Sequence, residues 1–486
     1  MKFIIKLFPE ITIKSAPVRK RFIKHLRKNI RKILKEIDPM AEVSGVWDHI
    51  ELTTGSDDAV VIAETCDRLS HIPGICFWLQ VVDHPLTDMD DILEKAIAAH
   101  ADALKGKTFC VRCQRSGQHA FRSTDVEQYV GGGLNQKTRA KGVNLTHPDV
   151  TVRIEIKSDR YFLVQKSGKG LGGYPLGTQE SVLSLISGGF DSTVSSFLTT
   201  KRGMRTHFCF FNLGGHAHEL AVKEVAYYLW KRFGVSHHVR FITVPFEEVV
   251  REILEKVDNT QMGVILKRMM LRAATQVAKE MDITALVTGE AVAQVASQTL
   301  TNLSIIDDAS DMLILRPLIA MDKQDIVDTA VNIGTEAFAR NIPEYCAVIS
   351  KKPTTRAKKE RIEHEESQFD FAVLDEAIAT RRMVSVNDII ADDLTREEVN
   401  VSRQLKQGDI IIDIRHPDEQ ELSPFTFQGW EVVHIPFYRL RAKFPELDKQ
   451  QHYVLYCEKG VMSQLHAMHL RDEGHENVDV FNPQSK

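Results

Sequence analysis

The sequence predicts a multidomain chain that mixes α+β and α/β architecture around a doubly wound parallel sheet. Three observations carry this. At 486 residues the chain exceeds what one hydrophobic core holds, and the length suggests about three domains. From Val182 to Arg316 short apolar runs alternate with helical patterns, as in βαβ units. From Asp409 onward a second, smaller set of buried-strand patterns begins.

The central stretch is Ser187-Gly188-Gly189-Phe190-Asp191-Ser192. The apolar run Val182–Ile186 enters it as a strand, and the pattern Thr193–Thr200 leaves it as a helix. Adjacent glycines let backbone approach a ligand closely. The helix start aims unpaired N–H groups and a favourable dipole at an anion. Ser187 and Ser192 add hydroxyl donors, so phosphate is the expected guest. No Lys precedes the Ser, which separates this loop from a Walker A motif. Asp191 suits a magnesium ion shared with phosphate oxygens. The string resembles the PP-loop of ATP pyrophosphatases, enzymes that split ATP to AMP and pyrophosphate while adenylating a substrate. A glycine-rich turn of an ordinary α/β domain is the bland alternative, and the Asp-Ser pair and preceding strand argue against it.

The other strands of this sheet are expected at Thr206–Leu213, Val239–Val244, Ala285–Gly289 and Leu313–Arg316, with helices such as His218–Arg232 and Phe246–Val257 between them. Such sheets bind ligands beyond the carboxyl ends of their strands. Thr288-Gly289-Glu290 would therefore face the same crevice as the glycine loop. Lys267, in a long helical pattern, and Lys323, after Arg316-Pro317-Leu318, are candidates to balance phosphate charge. Either taken alone is more often a solvated lysine.

Charge is unevenly distributed. The net charge is −4, yet Met1–Glu36 holds twelve Lys/Arg against Glu10 and Glu36. After a strand-like run Met1–Phe8, Ser15-Ala16-Pro17 supplies helix start signals. Phe22, Ile23, Leu26, Ile30, Ile33 and Leu34 recur at helical spacing, opposite Arg19, Lys20, Lys24, Arg27, Lys28, Arg31, Lys32 and Lys35. A nearly acid-free basic face points to phosphate-backbone contact; a merely solvated face is the competing reading.

From Asp48 to Pro175 strands and helices mix. Phe109, Val111 and Cys113 alternate, a helix-like segment ends at Gly131-Gly132-Gly133, and Pro148-Asp149-Val-x-Val-x-Ile-x-Ile156 reads as a strand. With Arg112, Arg115, Arg122, Lys137, Arg139, Lys141, Lys166 and Lys169 this resembles a THUMP domain, an RNA-binding module. Cys110 and Cys113 lack the second pair a zinc site needs, and in a strand they point opposite ways. Gly168–Pro175 marks a domain break. The interval Ile349–Glu366, rich in Lys, Arg and Glu, reads as an exposed helix or linker.

The last set of strands is Asp409–Arg415, Val432–Phe437 and Tyr453–Tyr456. Cys457-Glu458-Lys459-Gly460-Val461-Met462-Ser463 follows and runs into a helix. A cysteine at that position is expected to have a lowered pKa and to carry reactive or persulfide sulfur. A Cys-x5-Arg phosphatase would need Arg at position 463, where Ser stands. D-I-I-I-D-I-R and C-E-K-G instead resemble a rhodanese. Glu458 replaces the Arg common in rhodaneses, which disfavours thiosulfate as donor.

This order of modules is similar to the family of tRNA 4-thiouridine synthases, also called thiamine-biosynthesis sulfurtransferases. Phe211–Gly215, Gly263–Met270, Ser297–Asn302 and Pro343-Glu-Tyr-Cys346 fit it as well. The resemblance implies a ferredoxin-like domain at 1–60, a THUMP domain at 61–167, a PP-loop domain at 176–395 and a rhodanese-like domain at 405–486. It implies ATP and Mg2+ as cofactors, adenylation of the uridine at position 8 of tRNA, and sulfur delivery from a persulfide on Cys457. Asp191, magnesium and the loop amides of Ser187, Gly188, Gly189 and Ser192 would hold pyrophosphate, and Lys323 would stabilise developing charge. Leu185, Ile186, Lys267, Gly289 and Gln298 would line the ATP site. Cys346 would resolve the persulfide through a transient disulfide with Cys457. Expected partners are tRNA, a pyridoxal-phosphate cysteine desulfurase as sulfur donor and a small sulfur-carrier protein of thiazole synthesis.

Two other classes stay open. An amide-forming ligase with the same loop predicts a glutaminase or ammonia source, and none is evident. A non-catalytic RNA-binding sulfur relay predicts loss of Asp191 or Cys457, and both are present. Seven cysteines, no membrane-length apolar stretch and no signal-type N-terminus lead to an expectation of a cytoplasmic protein without membrane partners.

Overall fold

The computed structural model describes residues 1–45, 49–213, 215–342, 353–389, 401–415, 417–457 and 461–483. The chain divides into two compact units, Met1–Pro175 and Leu176–Lys486.

The first unit carries strands Lys2–Leu7 (β1), Glu42–Gly45 (β2), His49–Thr53 (β3), Ile75–Pro85 (β4), Thr108–Ser116 (β5), Gly142–Val143 (β6), Val150–Lys157 (β7) and Arg160–Lys169 (β8). They form one sheet in the order β2-β3-β1-β4-β8-β7-β5-β6. Its helices include Pro9–Thr12 (α1), Ala16–Leu34 (α2), Ala59–His71 (α3), Met89–Leu104 (α4) and Ser123–Lys137 (α5). The helix α2 starts where Pro17 fits its first turn and buries Phe22, Ile23, Leu26, Ile30, Ile33 and Leu34. Lys20, Lys24, Lys28, Arg31 and Lys35 stay exposed on the other face. His25 registers that face: burial, and then Arg21, Lys28 and Lys24, push its imidazole pKa down.

The glycine triplet does not end a helix. Gly131, Gly132 and Gly133 lie inside α5. A Cβ on Gly133 would fall 2.3 Å from Leu93 Cδ2, so the absent side chain lets α4 and α5 approach closely. That packing outweighs the propensity cost of glycine, which is about 1 kcal/mol per residue. In β5, Cys113 joins the apolar cluster beneath α4 and α5, while Cys110 Sγ lies 3.7 Å from Thr151 Oγ1. Asp149 accepts hydrogen bonds from Thr108 N and Oγ1, which pins the start of β7 to that of β5.

In the second unit, Ser181–Leu185 (β9), Arg205–Asn212 (β10), Arg240–Pro245 (β11), Ala285–Val287 (β12), Leu313–Leu315 (β13) and Arg382–Ser385 (β14) form a sheet ordered β13-β12-β9-β10-β11-β14. All pairs are parallel except β11–β14. The helices here are Phe190–Lys201 (α6), Gly215–Leu229 (α7), Glu247–Lys256 (α8), Met262–Glu280 (α9), Leu300–Asp307 (α10), Lys323–Asn332 (α11), Glu336–Asn341 (α12), Lys359–Glu366 (α13) and Phe371–Ala379 (α14). Leu183, Cys209, Ile242 and Leu286 bury against Val264, Ile265, Leu271 and Ala274 of α9. A doubly wound sheet is therefore present, with its connections over both faces.

The interval 349–366 differs from expectation. Residues 349–352 lie outside the described residues, and α13 is exposed on one face only: Lys359, Glu360, Arg361, Glu363 and His364 are exposed, whereas Ile362, Glu365 and Glu366 are buried. Glu366 accepts from Arg268 Nε at 2.6 Å and Nη2 at 2.9 Å, and from Arg272 at 3.0 Å. Charge composition signalled solvent because the compensating cations come from α9. Removing one partner of such a buried pair costs about 3–5 kcal/mol.

The C-terminal part of this unit holds Val401–Ser402 (β15), Ile410–Asp413 (β16), Val432–His434 (β17), Tyr453–Tyr456 (β18) and Val478–Phe481 (β19), all parallel in the order β15-β19-β18-β16-β17. Helix Val461–Asp472 packs on this sheet, and Phe437–Lys443 packs against that helix. Among the described residues no helix is long and apolar enough to cross a membrane.

Candidate nucleotide and sulfur sites

At the carboxyl ends of β9, β10 and β12 lies a cavity of about 460 Å³. Leu185, Ile186, Ser187, Gly189, Asp191, Ser192, Lys267, Gly289 and Gln298 all line it, as expected from sequence. Its volume falls in the range of small-molecule pockets.

The loop is built by its own polar groups. Ser192 Oγ accepts from Ser187 N at 3.1 Å and lies 3.1 Å from Ser187 Oγ. It also donates to the Gly189 carbonyl at 3.3 Å. Gly188 has φ +82°, a conformation that favours glycine. Gly289, just after β12, packs directly against the loop. A Cβ there would meet the Asp191 carbonyl carbon at 2.5 Å and Ser192 N at 2.6 Å, so only glycine lets β12 close on the start of α6. The strand β12 accordingly stops at Val287, short of the expected Gly289.

Asp191 and Lys323 meet directly. Lys323 Nζ donates to Asp191 Oδ1 at 2.7 Å, and Gln294 Nε2 donates to Oδ2 at 2.7 Å. Lys267 is also paired: its Nζ lies 2.6 Å from Glu290 Oε1, while Arg316 Nε lies 2.8 Å from Oε2. Thr288 Oγ1 donates to Oε2 at 3.0 Å. Burial alone would raise the Glu290 carboxyl, but Lys267 and Arg316 override it and hold the pKa at about 2. Glu290, Arg316 and Gln294 were not singled out as site residues from sequence. Thr288-Gly289-Glu290 had been placed at this crevice, a signal that could have found Glu290. Gln294 carried none. His218 lines the cavity edge-on to Phe210, with centroids 4.9 Å apart.

Among the described residues no group of three His, Cys, Asp or Glu side chains is arranged to hold a metal. A magnesium ion would find one carboxylate here, Asp191 at the start of α6, whose oxygens now accept from Lys323 and Gln294, so other oxygen ligands would have to complete its shell.

The sulfur candidate Cys457 follows β18 and is buried, with 7% of its surface exposed. Its Sγ accepts from Ser463 N at 3.4 Å and lies 3.3 Å from Ser463 Oγ. Ser463 sits in the first turn of helix Val461–Asp472, so the expected strand–loop–helix arrangement is present at both ends. Glu458, Lys459 and Gly460 lie outside the described residues, as do Cys346 and the rest of Pro343–Cys346. Beside β18, Asp413 at the end of β16 receives both Nε (2.9 Å) and Nη2 (2.8 Å) of Arg415. Arg415 lies over Tyr456 and Phe425, themselves stacked at 3.7 Å. The motif D-I-I-I-D-I-R thus supplies a neutralised pair that braces the strand end bearing Cys457.

Comparison with known proteins agrees with this organisation. The chain matches a ThiI ferredoxin-like domain over residues 2–77, a THUMP domain over 87–164, the thiamine biosynthesis protein ThiI over 177–371 and a rhodanese-like domain over 399–482. It is 56% identical to a tRNA sulfurtransferase of Azotobacter vinelandii and 57% identical to one of Pseudomonas aeruginosa, in each case over 99% of this chain and 100% of the relative. A solved 4-thiouridine synthetase–RNA complex with bound ATP superposes with a TM-score of 0.69 at 24% identity, over 79% of this chain and 99% of that one. A Pyrococcus horikoshii structure does so at 0.53 and 19%, over 69% of this chain and 100% of that one. At these identities the structural likeness is one of fold. Full-length identity above half, with all four modules in order, makes this chain a member of the tRNA sulfurtransferase (ThiI) family.

Proposed function

We propose that this protein is an ATP-dependent tRNA sulfurtransferase that makes 4-thiouridine at position 8 of tRNA. The observation that carries the reading is the convergence of Ser187, Gly189, Asp191, Ser192, Lys267, Gly289 and Gln298 on one cavity, in the same unit as a cysteine cradled at a helix start. The relatives' name and the ATP- and RNA-bound neighbour support it.

A uracil C4 oxygen is a poor leaving group; attack by that oxygen on the α-phosphorus of ATP releases pyrophosphate and leaves an O4-adenylated uridine, whose leaving group at C4 is AMP. The amides of the glycine loop and the Ser187 and Ser192 hydroxyls bind phosphate oxygens. Asp191 would hold a magnesium ion, whose charge offsets that of the departing pyrophosphate. Since Lys323 and Gln294 occupy the Asp191 oxygens, phosphate binding must draw Lys323 away, moving its charge to where negative charge develops. Glu290 keeps Lys267 and Arg316 ordered at the opposite wall.

The outer sulfur of a Cys457 persulfide then attacks C4, and AMP leaves. Cys346 thiolate attacks Cys457 Sγ, breaking the S–S bond and freeing the sulfur on uridine. The resulting Cys346–Cys457 disulfide is reduced by an external thiol. A cysteine desulfurase would reload Cys457. The family model's name supports a second acceptor, a small sulfur carrier of thiazole synthesis. The exposed basic face of α2 and the THUMP module are the proposed tRNA contacts.

The test is one reaction with purified protein, unmodified tRNA, Mg-ATP, a cysteine desulfurase and cysteine, read by the near-ultraviolet absorbance of 4-thiouridine. Wild type gives product, and Cys346→Ser gives at most one turnover. AMP release without thiolated tRNA from wild type would retain the adenylating site and overturn uridine thiolation.

A further inference from the structure

The sulfur-bearing and nucleotide-binding parts of the second unit meet on a buried face, and that face leads to the glycine loop by two routes. The meeting point is aromatic and charged. Phe437 packs on Phe338 of α12 with centroids 5.2 Å apart, and on Tyr228 of α7 at 6.0 Å. His466 Nε2 lies 2.6 Å from Glu224 Oε1 of α7, a charge contact rather than an aligned hydrogen bond. Both of these side chains are over nine-tenths buried, at 6% and 8% exposure.

The first route runs along α7. That helix carries Glu224 at the meeting face. Toward its start it carries Val222, whose Cγ2 would lie 3.2 Å from a Cβ on Gly188, and His218, which lines the cavity together with Ser187. The second route runs along α12. Phe338 meets Phe437, the helix ends at Asn341, and Ile342 follows; its Cδ1 would lie 2.5 Å from a Gly188 Cβ. Val222 and Ile342 therefore wall the glycine turn that presents the loop amides. On the other side, His466 belongs to the helix whose Ser463 cradles Cys457.

We propose that Phe437, His466 and Glu224 are positioning residues that couple docking of the sulfur-bearing part to nucleotide binding. Docking fixes α7 and α12, these fix Val222 and Ile342 around Gly188, and the pre-shaped loop binds ATP more tightly. Coupling between binding events is reciprocal, so ATP in turn favours the docked state by the same factor. The cradled thiol is thereby held in place when the substrate-activating site is filled. This inference rests on the nucleotide reading given above.

The test uses the full-length protein and two readouts. The first is the equilibrium Kd for Mg-ATP by calorimetry, for wild type, Glu224→Gln, His466→Gln, the double variant and Phe437→Ala. Glu224→Gln keeps the side-chain shape, so it reports docking rather than loss of fold. The expected result is a Kd raised about five-fold or more in Glu224→Gln and Phe437→Ala. The double variant should be no weaker than either single one, because the two residues act as a pair. The second readout is the rate of Cys457 alkylation, followed by peptide mass. ATP should slow it in wild type by a similar factor and leave it unchanged in Glu224→Gln. A Kd within two-fold of wild type in both Glu224→Gln and Phe437→Ala overturns the coupling while leaving the nucleotide site intact. A wild type that binds no ATP overturns the nucleotide reading itself, and the coupling with it.

Discussion

Two strands of the second unit, β9 and β18, end in the same local device, and the device does different work in each. Both are buried strands in parallel sheets, and both run through a short loop into the start of a helix. After β9 the loop carries Gly188 and Gly189, and Ser187, Gly189, Asp191 and Ser192 line a cavity of about 460 Å³. After β18 it opens with Cys457, whose sulfur is covered and takes the Ser463 amide for itself. The helix start supplies the same partial positive charge in both places. What occupies that space is set by the residues of the loop: in the proposed function glycine leaves room for a visiting phosphate, whereas cysteine supplies a resident sulfur.

Substitutions test that contrast, beginning with the largest effect. Cys457→Ser should abolish thiolated tRNA while pyrophosphate release from ATP in the adenylation step continues; loss of pyrophosphate release as well would mean the two loops are not separate devices. Asp191→Ala should lower AMP release by about a hundred-fold or more, measured as initial rate, since it removes a group at the developing charge.

Glu290 gives a pH signature. Its folded pKa is depressed, from the usual value of 4.5 to about 2, so it contributes stability above pH 4.5. That contribution, of order 3 kcal/mol, is lost as pH falls through 4.5 toward 2. Denaturant midpoints across pH 2–5 should fall steeply in wild type and less so in Glu290→Gln, whose midpoint at neutral pH should already be lower.

Gly289→Ala should cost about 1–3 kcal/mol, because the new methyl meets backbone rather than a movable side chain. Weaker ATP binding should accompany the lower denaturant midpoint. The smallest effects belong to the basic helix: Lys20→Ala, Lys24→Ala or Lys28→Ala should each weaken tRNA binding modestly and reduce its salt slope by about one. An unchanged slope would make α2 a solvated face.

Much of the fold was legible because burial has a period. The alternation from Val182 to Arg316 gave the parallel sheet, and the apolar stripe from Phe22 to Leu34 gave α2. The glycine loop and the cysteine after Tyr456 were legible for another reason. Each is a contiguous run of residues whose chemistry follows from the strand before it and the helix after it. Where sequence reading failed, a distant partner was responsible. The glycine triplet looked like a helix stop until Leu93 gave it a packing role. The charged interval ending at Glu366 looked solvated until Arg268 and Arg272 closed on it.

The sequence by itself determined which elements form, where the glycine loop lies and which cysteine follows a buried strand. Only the tertiary structure decided that Lys323 and Gln294 hold Asp191, that Lys267 and Arg316 share Glu290, and that His466 meets Glu224. The reason is physical. Periodicity and turn chemistry are written in neighbouring residues, whereas a charge finds its partner through space, across elements whose separation along the chain carries no pattern.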